Sequence, residues 1–293
     1  MDQAIRQKVD QIENRTVTSA DGTTIGYRRI GHGPGVILVH GGMMAAQNFT
    51  KLAGELADTF SVYVPDRRGR GASGPHGPDY CLARECEDIR ALVECNGAQN
   101  LFGLSSGAIV AMQSALSLPG SIRKLAVYEP PLAVRGTSPA GWAPRFETEL
   151  AKGDLGAAMV TVMKGTADST FLNFVPRLVL VPFMRFAIEA DTGETQAGDV
   201  PIKALIPTMH YDAQLVFETE GQIERFRALR AQVLLLGGSQ SHTNLKQALD
   251  ALNMLLPRAK RVEFLGTGHL AADNGGQPKR VERELRTFFL AEG

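Results

Sequence analysis

Residues 99–112 read QNLFGLSSGAIVAM, and everything else in the chain is best read from this stretch. Asn100–Leu104 is an apolar run of strand length, and from Gly107 onward small and apolar residues follow in a pattern that suits a helix. Between them stands Gly103-Leu104-Ser105-Ser106-Gly107, a G-x-S-x-G sequence. Where a strand gives way to a helix, this pattern predicts a sharp turn that exposes the central hydroxyl, here that of Ser105. Small residues at both ends allow the close chain approach, and the new helix brings its free N–H groups beside the hydroxyl. The alternative is an ordinary turn serine. The setting between a buried strand and a small-residue helix favours a nucleophile.

The same alternation extends on either side. Upstream, RTVTSA and TTIGYRRI flank an Asp21-Gly22 turn signal, as in a hairpin, and a short polar helix over residues 3–13 is expected before them. GVILVHG, SVYVPD, RKLAVYE, AQVLLLGG and KRVEFLG are further strand-like runs. FTKLAGELAD, RECEDIRALVEC, NLKQALDALNMLL and KRVERELRTFFL carry helical spacing. Strand and helix alternating in this way predict an α/β fold, a mostly parallel sheet with helices on both faces. The interval 132–227 breaks the rhythm with Gly/Pro punctuation and apolar runs but no buried strand. It is too long for one structureless loop, so a mostly helical cap is expected there, with 1–131 and 228–293 forming the core. The alternative is a loop with extra core helices.

Composition excludes several function classes. Lys plus Arg (31) equals Asp plus Glu (31), so no net field favours nucleic acid or an anionic membrane. The most apolar stretch, FLNFVPRLVLVPFMRFAI, is broken by Pro176, Arg177, Pro182 and Arg185, and no membrane span is expected. The N-terminus has no apolar secretory core. Cys81, Cys86 and Cys95 are odd in number, with no His or Cys partner at zinc-ligand spacing. Reduced thiols in a cytoplasmic protein, without metal, are the expectation. Self-association is left open.

Two more glycine-rich loops follow predicted strands. Val39-His40-Gly41-Gly42 can turn backbone amides toward an oxyanion, with Gly42 and Ser106 as the expected donors and Met43 as a third contributor. His40 itself is read as structural. Gly266-Thr267-Gly268-His269 ends the KRVEFL run on the sheet edge that carries Ser105, so His269 is the expected general base. His242 and His210 are the lesser alternatives.

Taken together, His40-Gly41-Gly42, Asp66-Arg67-Arg68-Gly69-Arg70-Gly71-Ala72-Ser73, the Ser105 turn and Gly268-His269 resemble the α/β-hydrolase superfamily over almost the whole chain. That resemblance implies an eight-stranded sheet, a cap after the sixth strand, and a nucleophile, acid and histidine in that chain order. The family's acid usually follows the seventh strand. Here that place reads Gly237-Gly238-Ser239-Gln240-Ser241-His242-Thr243, without a carboxylate, and Asp250 falls inside the next helix. Some members place the acid after the sixth strand, which here ends Tyr128-Glu129-Pro130-Pro131. Neighbouring strands are about 4.8 Å apart, so a carboxylate one strand from Ser105 remains within reach of an intervening imidazole. Glu129 is the expected acid. A Ser–His dyad and Asp273 are the alternatives.

The expected chemistry is acyl transfer through a serine ester of a carboxylic ester or lactone, with no cofactor. Trp142, Phe171, Phe183 and Tyr211 are the expected pocket residues, which points to an apolar, weakly charged small molecule. C–C bond hydrolases, thioesterases and perhydrolases use the same machinery, and fold analogy does not choose among them. A non-catalytic ligand-binding receptor on this fold is the alternative from another class. Asp in place of Ser105 would suit epoxide hydrolase or dehalogenase chemistry, and this chain lacks it.

Overall fold

Period-two alternation along the strands sets the layers of the molecule. In β3 (Gly35–Val39), Val36 and Leu38 join one buried cluster while Ile37 and Val39 join another. In β6 (Lys124–Tyr128), Leu125 and Val127 part from Ala126 and Tyr128 in the same way. Strands apolar on both faces need a layer on each side, and burying each such side chain contributes roughly 1.5–3 kcal/mol. The computed structural model describes residues 11–134, 136–166, 174–191 and 198–291.

The remaining strands are β1 (Glu13–Thr18), β2 (Thr24–Ile30), β4 (Ser61–Pro65), β5 (Asn100–Leu104), β7 (Gln232–Gly238) and β8 (Lys260–Phe264). They form one eight-stranded sheet in the order β1-β2-β4-β3-β5-β6-β7-β8. β1 and β2 pair antiparallel, as does β2 with β4, and the other pairings are parallel. Helices α1 (Thr50–Leu56) and α10 (Pro278–Leu290) cover the face of Val36 and Leu38, while α2 (Leu82–Asn96), α3 (Ser106–Ser117) and α9 (Thr243–Leu255) cover the other.

Between β6 and β7 the chain forms α4 (Ala143–Ala151), α5 (Leu155–Thr166), α6 (Arg177–Ala190), α7 (Ile202–Leu205) and α8 (Met209–Glu218). These helices carry their own small apolar cluster of Phe146, Ala158, Val162, Ile188 and Ile206. No helix among the described residues is long and apolar enough to cross a membrane. Of the N-terminal helix expected over 3–13, residues 3–10 lie outside the described residues, and Glu13 already belongs to β1. Its side chain pairs with Arg15 and Arg29, whose partners lie along the hairpin, so the strand begins earlier than the RTVTSA run suggests. Cys86 is buried, which pushes its thiol up to about 12 and leaves it inert.

Candidate active site

At the end of β5 the backbone turns through Ser105 with φ 56° and ψ −126°, and α3 starts at the next residue. A left-handed φ on a non-glycine residue is strained, and such strain is held only where its surroundings enforce it. Here the enforcement is steric. A Cβ on Gly103 would lie 2.4 Å from the Gly107 carbonyl oxygen, and one on Gly107 would lie 2.3 Å from the His40 carbonyl oxygen. Only glycine at both ends lets β5, α3 and the loop after β3 meet. The Ser105 amide donates to the Tyr128 carbonyl at 2.9 Å, which ties the bend to β6.

Strand register then brings the other residues to the same edge. Leu104 lies opposite Tyr128, and Tyr128 opposite Leu236. Glu129 therefore leaves β6 one strand over from Ser105. Its own φ is 48°, and Pro130 follows. The fully buried side chain reaches across the end of β7, where Oε1 accepts from the Gly238 amide at 2.6 Å. Oε2 lies 2.7 Å from Nδ1 of His269. A Cβ on Gly237 would stand 3.0 Å from Oε1, so the Gly-Gly pair leaves room for a carboxylate arriving from the neighbouring strand. The His269 loop is held in turn. The Tyr128 hydroxyl donates to the Gly268 carbonyl at 2.8 Å, and the Gln240 amide to that of Thr267 at 2.9 Å. With Nδ1–H donated to Glu129, Nε2 is the nitrogen left able to accept a proton.

Asp250 lies within α9 and pairs with Arg261 at the surface. Asp273 accepts from Asn48 Nδ2 at 2.9 Å. His210 pairs with the exposed Glu147 on the outside of the interposed helices, and His242 caps α9 by accepting from the Asn244 amide. His40 is fully buried, and burial, with Arg70 and Arg67 close by, holds it well below the usual histidine range. It is therefore neutral, accepting the Arg67 amide at Nε2 (3.2 Å) and donating from Nδ1 to the Gly41 carbonyl (3.0 Å).

Gly42 and Met43 stand on the loop against Ser105, where a Cβ on Gly41 would meet the serine Cβ at 3.1 Å. Met43 has φ 52°, the third left-handed non-glycine residue among those described, and all three (Met43, Ser105, Glu129) lie at this edge. Ser105 and His269 both border two cavities. The larger, about 760 Å³, is lined by Met43, Met44, Met159, Met163, Met209 and Leu270 among others. The smaller, about 50 Å³, is lined by Ser106, Trp142, Asp212, Val216, His242 and Leu245 among others.

Of the expected pocket residues, Trp142 borders the smaller cavity. Phe171 lies outside the described residues. Phe183 is 63 % exposed, because α6 buries Leu180 and Ile188 and turns this position off that face. Tyr211 stacks on His76 with ring centroids 3.4 Å apart. It follows Met209 by two positions, about 200° around α8, so it turns away when Met209 turns toward the cavity. Methionines are prominent among the residues that do line the larger space, and a search for aromatics passes over them. Met159 and Met163, spaced i and i+4 on α5, were the available signal.

With this geometry in view, comparison with known proteins is direct. A family model described as alpha/beta hydrolase fold matches residues 34–275. The chain belongs to the α/β-hydrolase family. An α/β hydrolase from Sphaerobacter thermophilus is 31% identical with a TM-score of 0.75, over 94% of this chain and all of that one. A hydrolase from Pseudomonas aeruginosa PA01 shares the fold at 20% identity and TM-score 0.69, covering 95% of this chain and 99% of that one. Among curated relatives, polyketide synthase ThaQ of Burkholderia thailandensis is 27% identical over 82% of this chain, which spans 11% of that protein. The uncharacterized hydrolase YraK of Bacillus subtilis is 30% identical over 40% of this α/β hydrolase and 45% of its own length. A cis-3-alkyl-4-alkyloxetan-2-one decarboxylase of Shewanella oneidensis is 25% identical over 87% of this chain and 82% of its own.

Proposed function

We propose that this α/β hydrolase is a serine hydrolase that cleaves a carboxylic ester or lactone of an apolar, weakly charged small molecule through an acyl-enzyme. The observation that carries this reading is the 2.7 Å pair of His269 Nδ1 and Glu129 Oε2 on the cavity into which the Ser105 bend opens. His269 takes the Ser105 proton as the hydroxyl oxygen attacks the carbonyl carbon, and Glu129 stabilises the imidazolium that results. The amides of Gly42 and Ser106, with Met43 beside them, receive the oxyanion of the tetrahedral intermediate. Collapse of that intermediate passes the proton from His269 to the leaving alkoxide. Water, deprotonated by His269, then releases the acid and restores the serine.

The segment 132–227 acts as a cap over this edge, and its Met159, Met163 and Met209 add an adaptable apolar surface to the wall. A lactone is the specific second form of the substrate. The Shewanella relative is named for an oxetan-2-one, a four-membered cyclic ester bearing two alkyl groups, which the larger cavity is roomy and apolar enough to suit. The three unpaired cysteines fit a reducing compartment, hence the cytoplasm.

The test is labelling with a fluorophosphonate probe, followed by a panel of apolar ester, lactone and thioester substrates. Covalent labelling that disappears in Ser105→Ala is the expected result. A folded wild-type protein that takes no label would instead be a binding protein on this fold.

A further inference from the structure

Behind Ser106, four charged side chains are shut away from solvent. Arg67, Arg70, Glu85 and Asp212 are each 3 % exposed or less. Three belong to the core, and the fourth, Asp212, enters from α8 of the interposed helices. Arg67 Nη1 donates to Asp212 Oδ1 at 2.8 Å, and Arg70 Nη2 to Asp212 Oδ2 at 2.5 Å. Arg67 Nε and Nη2 fork onto Glu85 at 2.8 and 2.7 Å. Two cations thus face two anions. Burial alone would raise the Asp212 carboxyl, but Arg70 and Arg67 hold it down at about 2, so it remains a carboxylate.

The same carboxylate touches both segments to which the oxyanion donors were assigned. Ser106 Oγ donates to Asp212 Oδ1 at 2.7 Å while accepting from Arg67 Nη1 at 3.2 Å. On the other side, a Cβ on Gly42 would lie 3.2 Å from the Asp212 carboxyl and 2.7 Å from the Met209 sulfur. Arg67 also holds the start of that loop, through its amide to His40 Nε2 and Nη1 to the His40 carbonyl.

We propose that Asp212 is a positioning residue that, from α8, sets the spacing of the two oxyanion-hole segments at Ser106 and Gly42, an inference that rests on the acyl-enzyme reading above. With the carboxylate seated, Ser106 and Gly42 share one rigid frame, and the distance between their amides is set.

The experiment uses the full chain and compares wild type with Asp212→Asn and with the double variant Arg70→Met/Asp212→Asn. The double variant keeps the buried charges balanced and guards against simple unfolding. Competent sites are counted by fluorophosphonate titration, and kcat per titrated site and KM are measured on an apolar ester. Both variants are expected to lose about 10–100-fold in kcat per site while KM moves less than about threefold, because an oxyanion hole acts mainly on the transition state. Fewer titrated sites or a lower melting temperature, with kcat per site unchanged, would overturn the proposal, leaving Asp212 a purely structural tie. A raised KM at constant kcat overturns it as well, making Asp212 part of the substrate wall. Wild-type protein inert to the probe defeats the acyl-enzyme reading and this inference together.

Discussion

Glu129 holds more of the candidate site together than its place in the chain suggests. It has a left-handed backbone, a fully buried carboxylate, and two partners, the Gly238 amide and His269. Glu129→Gln preserves the shape but removes the charge that stabilises an imidazolium. The folded variant is expected to lose turnover by about 10³–10⁴-fold, read from kcat on an apolar ester. Near-normal turnover would remove Glu129 from the mechanism. A base must be neutral to act, and an imidazole ordinarily titrates near pH 6.5, so kcat/KM is expected to fall on the acid side. A profile flat down to pH 4 would exclude His269 as that base. Glu129 was legible as a candidate through the family resemblance, which implies an acid after the sixth strand in members whose loop after β7 offers none. Its reach across β7 was not legible, because that depends on register and on the absence of a Cβ at Gly237.

At the scale of elements, the strand ends act as a ruler. Four parallel neighbours, β5 to β8, end at one edge, and each contributes a piece: Ser105, Glu129, the Gly237-Gly238 gap and His269. A Cβ at Gly237 would press on Leu249 Cδ1 at 2.5 Å as well as on the carboxylate. Gly237→Ala is therefore expected to displace Glu129 and lower kcat by about 10-fold or more, with circular dichroism unchanged. Full activity in that variant would show that the carboxylate has freedom to spare. The core elements were readable in order because strands buried on both faces are continuous apolar runs and their crossover helices are amphipathic. The pocket wall was less readable. Phe183 and Tyr211 are as apolar as lining residues, but the helix phase that turns them outward depends on what α6 and α8 pack against.

For the whole molecule, the interposed helices are joined to the core by charge as well as by apolar contact. The Asp212 carboxyl, ordinarily near 3.8, sits at about 2 in the folded chain. A depressed carboxylate contributes stability that is complete above its unfolded value and disappears as pH falls through the folded one. The difference in urea midpoint between wild type and Asp212→Asn is therefore expected to be constant above about pH 5 and to narrow from about pH 4 toward pH 2. A gap independent of pH would mean that the carboxylate is not charged in the fold. The 760 Å³ cavity makes a separate demand. Filling it with Met159→Trp should raise KM for long-chain esters while sparing short ones, as a chain-length series would record.

Local pattern was enough to establish an α/β core, a serine on a strained bend, a histidine at the matching edge and the want of an acid after β7. Those features depend on runs of a few residues whose periodicity and glycine spacing are short-range properties. The carboxylate that crosses to His269, the methionine wall and the buried Arg67–Asp212–Ser106 contact emerged once the chain was folded. Each joins residues more than a hundred positions apart, except the wall, which depends on helix phase. Such contacts are set by register, rotation and burial across elements, for which no stretch of primary structure carries a local signature.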